Sequence, residues 1–385
     1  MNFTFITSSC NWHQKPFSDK MSDLTDFTFF ETVPPKEFMG KTCETERTIP
    51  GYVVPINNRE IHEDRVQENL VLADVVIISC VSEKAIVSRL KQRKLTFKYA
   101  ERFYKNGTPK RRFLRDAAAA WLHHGRFQKY PLYMLCASAY TAGDAARFGN
   151  YRNRCYKWGY FPETKHYDTD TLMEGKRSDV PTILWAGRFL NWKHPERALL
   201  VADHLKKKGY RFVLNMIGAG GMEEQLKTMI REMELSDCVH MLGSMTPGEV
   251  RVHMEQASIY LFTSDRGEGW GAVLNEAMNS GCAVVADRAI GSVPFLLKDG
   301  ENGLSYGSGC TEQLCQLVER LMETSEERER LGRAAYRTIV EEWNAEEAAR
   351  RLVLLSEHLL AGEKSPDLFA SGPCSKAEVI KDWGE

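Results

Sequence analysis

Ser264-Asp265-Arg266-Gly267-Glu268-Gly269-Trp270-Gly271-Ala272-Val273-Leu274-Asn275-Glu276-Ala277-Met278-Asn279-Ser280-Gly281 is the stretch on which the reading of this chain turns. A strand-like apolar run, 258–263, precedes it. A turn carrying Gly267, Gly269 and Gly271 follows, and a helix-forming run opens at Ala272 and stops at Gly281. Strand, glycine turn, helix is how an α/β fold offers bare backbone N–H groups to an anion. The glycines let that backbone come close to a ligand. Glu268 lies in the turn, and Glu276 about one turn into the helix. Carboxylates repel phosphate, so these two suit hydroxyls. Amides for phosphate beside carboxylates for hydroxyls describe a site for a sugar nucleotide.

Upstream, 182–187 (Thr-Ile-Leu-Trp-Ala-Gly) reads as a strand ending in glycine. Arg188 and Lys193 follow, then a helix from Pro195 to Lys208. Two cations here would stabilise a leaving diphosphate as its charge grows. A strand over 211–217 runs into Gly218-Ala-Gly-Gly221, and a short strand over 238–242 ends at Gly243-Ser244. Strands and helices alternate in the first half too. Strands are expected at 3–7, 27–31, 52–55, 73–80, 95–99 and 132–138, and helices from Pro16 and over 82–91 and 111–127. Such alternation predicts an α/β chain of two doubly wound, Rossmann-like domains facing across a cleft. The expected division is a first domain 1–163, a linker 164–180 and a second domain 181–345. A helix 346–362 packs back across both, and a mobile tail covers 363–385.

The spacing Glu268-x7-Glu276 resembles the E-x7-E motif of retaining GT-B glycosyltransferases of the glycosyltransferase 4 type, the group 1 enzymes of polysaccharide biosynthesis. The likeness is specific over about 182–305 and looser before it. It implies a GT-B fold and transfer of a hexose-type sugar from a nucleotide sugar, a UDP-sugar by preference. Glu268, Arg188 and Lys193 then become the catalytic candidates. Gly187, Gly218, Gly243, Gly269, Trp270, Gly271, Ala272, Val273 and Glu276 become donor-binding candidates, with Glu276 on the ribose hydroxyls. The family's mechanism implies attack from the face the diphosphate leaves, with no protein nucleophile. No cofactor and no metal are expected. One departure stands out: relatives often carry Pro-Glu where this chain has Pro294-Phe295.

The first half would hold the acceptor. His13 and Gln14 follow the first strand, and relatives often have a His-Gln pair there, although an ordinary loop histidine is the alternative. Glu101 stands after the strand 95–99 where many relatives have a histidine. It is either acceptor-side chemistry or a surface carboxylate amid positive charge. Tyr140 would close a strand near the cleft.

Charge supports an anionic partner for this half. Residues 1–180 hold 28 Lys and Arg against 21 Asp and Glu, whereas the remainder holds 23 against 31. Between Lys84 and Arg115 lie twelve basic residues and one acidic one. That cluster suits peripheral contact with an anionic membrane, and a polyprenyl-diphosphate-linked saccharide as acceptor. The helix over 111–127 either lies on such a membrane or packs on its own sheet. No nucleic-acid motif is present. No apolar run nears the roughly eighteen residues that span a bilayer. The N-terminus has no basic leader, and the ten cysteines form no CxxC pair. A cytoplasmic chain, peripheral at the inner membrane face, is the expectation. Rival readings are an epimerase of the same fold, a synthase with a soluble acceptor, and a non-enzymatic binding module.

Overall fold

The computed structural model describes residues 1–33, 49–56, 60–107 and 112–382. Two compact units emerge. The first comprises Met1–Glu163 with Asn344–Glu385, and the second Thr164–Trp343. Each is built on one sheet whose strands all pair in parallel.

The first sheet takes β1 (Asn2–Thr7), β2 (Asp26–Glu31), β3 (Val53–Pro55), β4 (Val75–Ile78), β5 (Thr96–Ala100), β6 (Leu132–Cys136) and β7 (Cys155–Lys157) in the order β3-β2-β1-β4-β5-β6-β7. Helix Lys15–Leu24 starts with Pro16 in its first turn, where the missing N–H costs nothing. Strands β4 and β6 are apolar and buried throughout, as a parallel sheet covered on both faces requires. The second sheet takes β8 (Thr182–Ala186), β9 (Val213–Ile217), β10 (Val239–Gly243), β11 (Ile259–Phe262), β12 (Ala283–Asp287) and β13 (Leu304–Tyr306) in the order β10-β9-β8-β11-β12-β13. This is the GT-B architecture in its two parallel α/β units.

In both sheets the chain winds outward from one central strand and then returns to that strand's other side. The order reverses between β1 and β4, and again between β8 and β11. Loops leaving the two strands at such a point run apart and open a crevice at their carboxyl ends. This places 8–14 and 187–193 at ligand edges before any side chain is considered.

Three expectations need correction. Residues 164–180, read as a linker, belong to the second unit and contain helix Thr169–Glu174. The last helix, Ala345–Leu360, belongs to the first unit, where it packs on helix Lys15–Leu24. The tail is tied down. Its 374–377 stretch runs antiparallel beside β7: the Cys374 N–H donates to Lys157 O at 2.8 Å, the Lys157 N–H to Ser375 O at 2.8 Å, and the Ala377 N–H to Cys155 O at 3.1 Å. Backbone pairing at an open sheet edge leaves no periodic signature in a short, glycine- and proline-containing segment. Residues 383–385 of that tail lie outside the described residues.

The basic cluster is also less superficial than its composition implies. Arg89 is fully buried and donates to the carbonyls of Leu70, Ala73, Asp74 and Leu95, while burial draws its pKa down to about 9. Arg102 is buried against Asp144, and Lys110 and Arg111 lie outside the described residues. The nine described cysteines are all free. No helix among the described residues is long and apolar enough to cross a membrane.

Candidate active site

The loops after β8 and β11 meet at the switch point of the second sheet. Lys193 ends a short 3-10 turn, Asn191–Lys193, and its Nζ donates to Glu268 Oε2 at 2.5 Å. The same oxygen accepts from Ser264 Oγ at 3.1 Å, while Oε1 has no hydrogen-bond partner among the described residues. Three further bonds fasten the loops. The Asp265 N–H donates to Trp192 O at 2.9 Å, and Thr263 Oγ1 lies 2.8 Å from Lys193 O and 2.9 Å from His194 O. Trp185 Nε1 donates to that same hydroxyl at 2.8 Å. His194 adopts a left-handed backbone (φ +47°) and bridges Glu196 and Asp265, whose carboxylates raise its pKa above that of a free imidazole. Arg188 is exposed, with no acceptor for its guanidinium among the described residues.

The glycines divide by cause. At Gly218 (φ +145°) a Cβ would lie 1.8 Å from Gly187 O, so this position is set by close packing of the loops after β8 and β9. At Gly271 (φ +81°) a Cβ would lie 2.3 Å from Phe262 Cζ and 3.1 Å from Glu268 Cγ. Only glycine can turn the chain there while keeping Glu268 in place. Gly187 is partly exposed, and Gly243 (φ +75°) faces open space. The amides of Gly269, Gly271, Ala272 and Val273 find no acceptor among the described residues. They lead into helix Val273–Asn279, whose first turn has no side-chain cap.

Trp270 contributes backbone alone. Its indole is fully buried between Phe295 and Trp343, with Nε1 donating to Asn275 Oδ1 at 2.9 Å. Phe295, standing where relatives often have a glutamate, stacks on Trp343. It thus serves the packing beneath the turn.

Glu276 is 9% exposed, and its carboxylate has no hydrogen-bond partner among the described residues. Desolvation pushes its pKa up to about 7, against a weaker opposing pull from Arg251. A nearly buried carboxylate without a partner is costly unless something supplies donors. Ligand hydroxyls would do so. Among the described residues no three His, Cys, Asp or Glu side chains converge in a way that could hold a metal.

The first unit brings three of the four acceptor-side candidates together. Tyr160 is stacked on His13, with centroids 5.3 Å apart, and Tyr160 Oη donates to Glu101 Oε1 at 2.5 Å. Lys105 Nζ donates to Glu101 Oε2, also at 2.5 Å. Gln14 Nε2 donates to Tyr99 Oη at 3.2 Å, and Tyr99 meets Tyr160 edge-on. Burial lowers the His13 pKa to about 3, so its ring is neutral, and its Nδ1 has no hydrogen-bond partner among the described residues. Tyr140 lies apart: it is buried beneath the Arg102 guanidinium, 4.6 Å from its ring centroid. Tyr160 was not legible in advance because it stands just before the expected linker 164–180, in a stretch with no motif. Ser264 was hidden in the quoted stretch as one hydroxyl among several.

Residues 169–338 match the family described as Glycosyl transferases group 1, so the chain carries a domain of that family. Among curated proteins it is 31% identical over 182 residues to an amylovoran biosynthesis glycosyltransferase, AmsK, of Erwinia amylovora, a match covering 46% of this chain and 44% of the relative. It is 30% identical over 126 residues to a putative colanic acid biosynthesis glycosyltransferase, WcaL, of Escherichia coli, covering 31% of each. These matches span less than half of the relatives' length. Among solved structures, Anabaena HepE in complex with UDP and glucose superposes with a TM-score of 0.66 at 14% identity, covering 93% of this chain and 99% of that one. WaaG, a glycosyltransferase involved in lipopolysaccharide biosynthesis, does so with 0.59 at 14% identity, covering 94% and 100%. At such identities the likeness establishes the GT-B fold.

Proposed function

We propose that the protein is a retaining glycosyltransferase of polysaccharide biosynthesis, moving a hexose-type sugar from a UDP-sugar to a saccharide carried on a polyprenyl diphosphate. The observation that carries this reading is the meeting of Lys193 and Glu268 beside unpaired amides and the exposed Arg188. Cations and amides suit a diphosphate, and carboxylates suit hydroxyls, within one short stretch of surface.

In this reading Arg188, Lys193 and the amides of Gly269, Gly271, Ala272 and Val273 hold the diphosphate with no resident metal. Lys193 is already fixed by Glu268, so its charge needs little reorganisation as the leaving group becomes more negative. Glu268 keeps Oε1 for the transferred sugar's hydroxyls. Glu276, ionised on binding, accepts from the ribose diol. The departing diphosphate's own oxygen takes the acceptor's proton, and the acceptor lies against His13, Gln14, Glu101 and Tyr160. The UDP complex of HepE and the polysaccharide roles of AmsK and WcaL support the donor and pathway class.

The test is to incubate the protein with a panel of UDP-sugars and polyprenyl-diphosphate saccharides, follow UDP release, and read the product's anomeric configuration by NMR. Release with one donor and a retained anomer is expected. Release from none would refute the donor assignment, and an inverted anomer the retaining mechanism.

A further inference from the structure

Helix Phe113–His123 connects β5 to β6 and is turned inside out. Phe113, Leu114, Ala118, Trp121 and Leu122 are exposed, with Leu114 at 83% and Trp121 at 63%. Its inward side carries Asp116, Ala120 and His124, whose ring stacks on Phe103. Leu114, Ala118, Trp121 and Leu122 fall at i, i+4, i+7 and i+8, so they form one continuous stripe. A water-facing helix normally shows the opposite pattern. Such a stripe marks a docking surface.

Its surroundings point to the kind of partner. Exposed Arg112 and Arg115 stand at the start of the helix, and exposed Lys129 follows its end. Over residues 102–143 the chain has eight basic residues and one acidic residue, Asp116, which faces inward. An aromatic and leucine stripe rimmed by arginine suits the headgroup boundary of an anionic bilayer, where the apolar side chains enter and the cations meet phosphate.

We infer that this helix docks the first unit on an anionic lipid surface. The chain enters the helix from the carboxyl end of β5, the edge that carries Glu101. Docking there brings that edge to the membrane, so a lipid-linked acceptor is met without leaving its bilayer. This last consequence rests on the transferase reading, whereas the docking itself does not.

The test is co-sedimentation of the full chain with vesicles of phosphatidylcholine alone or mixed with phosphatidylglycerol, at low and high salt. Binding is expected only with phosphatidylglycerol and should weaken in salt. Trp121→Phe should remove most of the fluorescence quenching by brominated lipid. The exposed-face variant Leu114→Glu/Trp121→Glu should lower binding about tenfold, and Arg112→Glu/Arg115→Glu similarly. UDP thermal shifts should be unchanged in both, separating failed docking from a failed donor site. The inference is overturned by binding that ignores lipid charge, by vesicle binding equal in wild type and variants, by no binding at all, or by concentration-dependent self-association that Leu114→Glu/Trp121→Glu abolishes.

Discussion

The two units share one winding scheme and use its switch point in opposite ways. In the second unit the loops after β8 and β11 are pinned by Thr263, Trp185 and the Lys193–Glu268 pair, and the groups without partners among the described residues include backbone amides, the Arg188 guanidinium and the Glu276 carboxylate. In the first unit the corresponding edge is filled by side chains: His13 on Tyr160, Tyr160 on Glu101, Gln14 on Tyr99. Backbone recognition of a diphosphate demands glycine at fixed places. Recognition by side chains demands nothing of the backbone, so the same fold tolerates many solutions there.

The largest expected break in this contrast is Glu268→Gln. Turnover should fall about a thousandfold with UDP affinity within about twofold, because in the proposed reading the weakened contact is to the sugar, while the glutamine keeps an amide oxygen for Lys193 Nζ. Full activity in that variant would remove Glu268 from the chemistry. Next come two glycines whose added Cβ would sit equally close, 1.8 Å, to a carbonyl oxygen. Gly218→Ala also forces an unfavourable φ between two anchored loops and should cost about 3 kcal/mol in denaturant unfolding. Gly143→Ala in the first unit presses on Ile380 O but keeps an ordinary helical φ, and should cost about 1 kcal/mol. Equal losses would show that the positive φ at Gly218 adds nothing to the cost of the close contact.

Glu276 sharpens the contrast through pH. Its carboxyl is raised to about 7, above the unfolded value, so the folded state holds the proton more tightly. Stability is therefore greatest below the ordinary glutamate range and declines as pH climbs from there through about 7. UDP affinity should move the other way, rising about tenfold as the carboxylate forms and accepts the ribose hydroxyls. Glu276→Gln should flatten both curves in calorimetric titrations. The smallest effect expected is that of Arg188→Ala: stability within about 0.5 kcal/mol of wild type, with UDP affinity down about fivefold.

Much of the second unit could be read from sequence because its constraints are local. Gly218, Arg188, Lys193 and Glu268 lie one to seven residues past a strand end, where the fold places ligands, and Gly271 and Glu276 continue from β11 through the turn into the helix that follows it. What the spacing could not give was the direct Lys193–Glu268 bond, which spans 75 positions. The fate of Trp270 was also hidden, since an indole in a glycine turn reads equally as a ligand platform or as an anchor between Phe295 and Trp343. In the first unit the strands were legible from apolar runs. Tyr160, just before the expected linker, and the tail beside β7 were not, because long-range pairing leaves no local pattern. The helix over 111–127 carried the right residues for either of two outcomes, and the exposure of Leu114 and Trp121, which no sequence pattern gives, is what supports the docking proposal.

The most direct test of the donor site in the second unit is a thermal-shift comparison of UDP, GDP, ADP and CMP with the full chain in EDTA. At about a hundred times its dissociation constant a ligand stabilises by roughly 2.7 kcal/mol, which the melting curve resolves. The account predicts a rise with UDP that grows for one UDP-sugar and shrinks in Arg188→Ala. No shift with any nucleotide, or a shift that appears only when a divalent cation is restored, would contradict it.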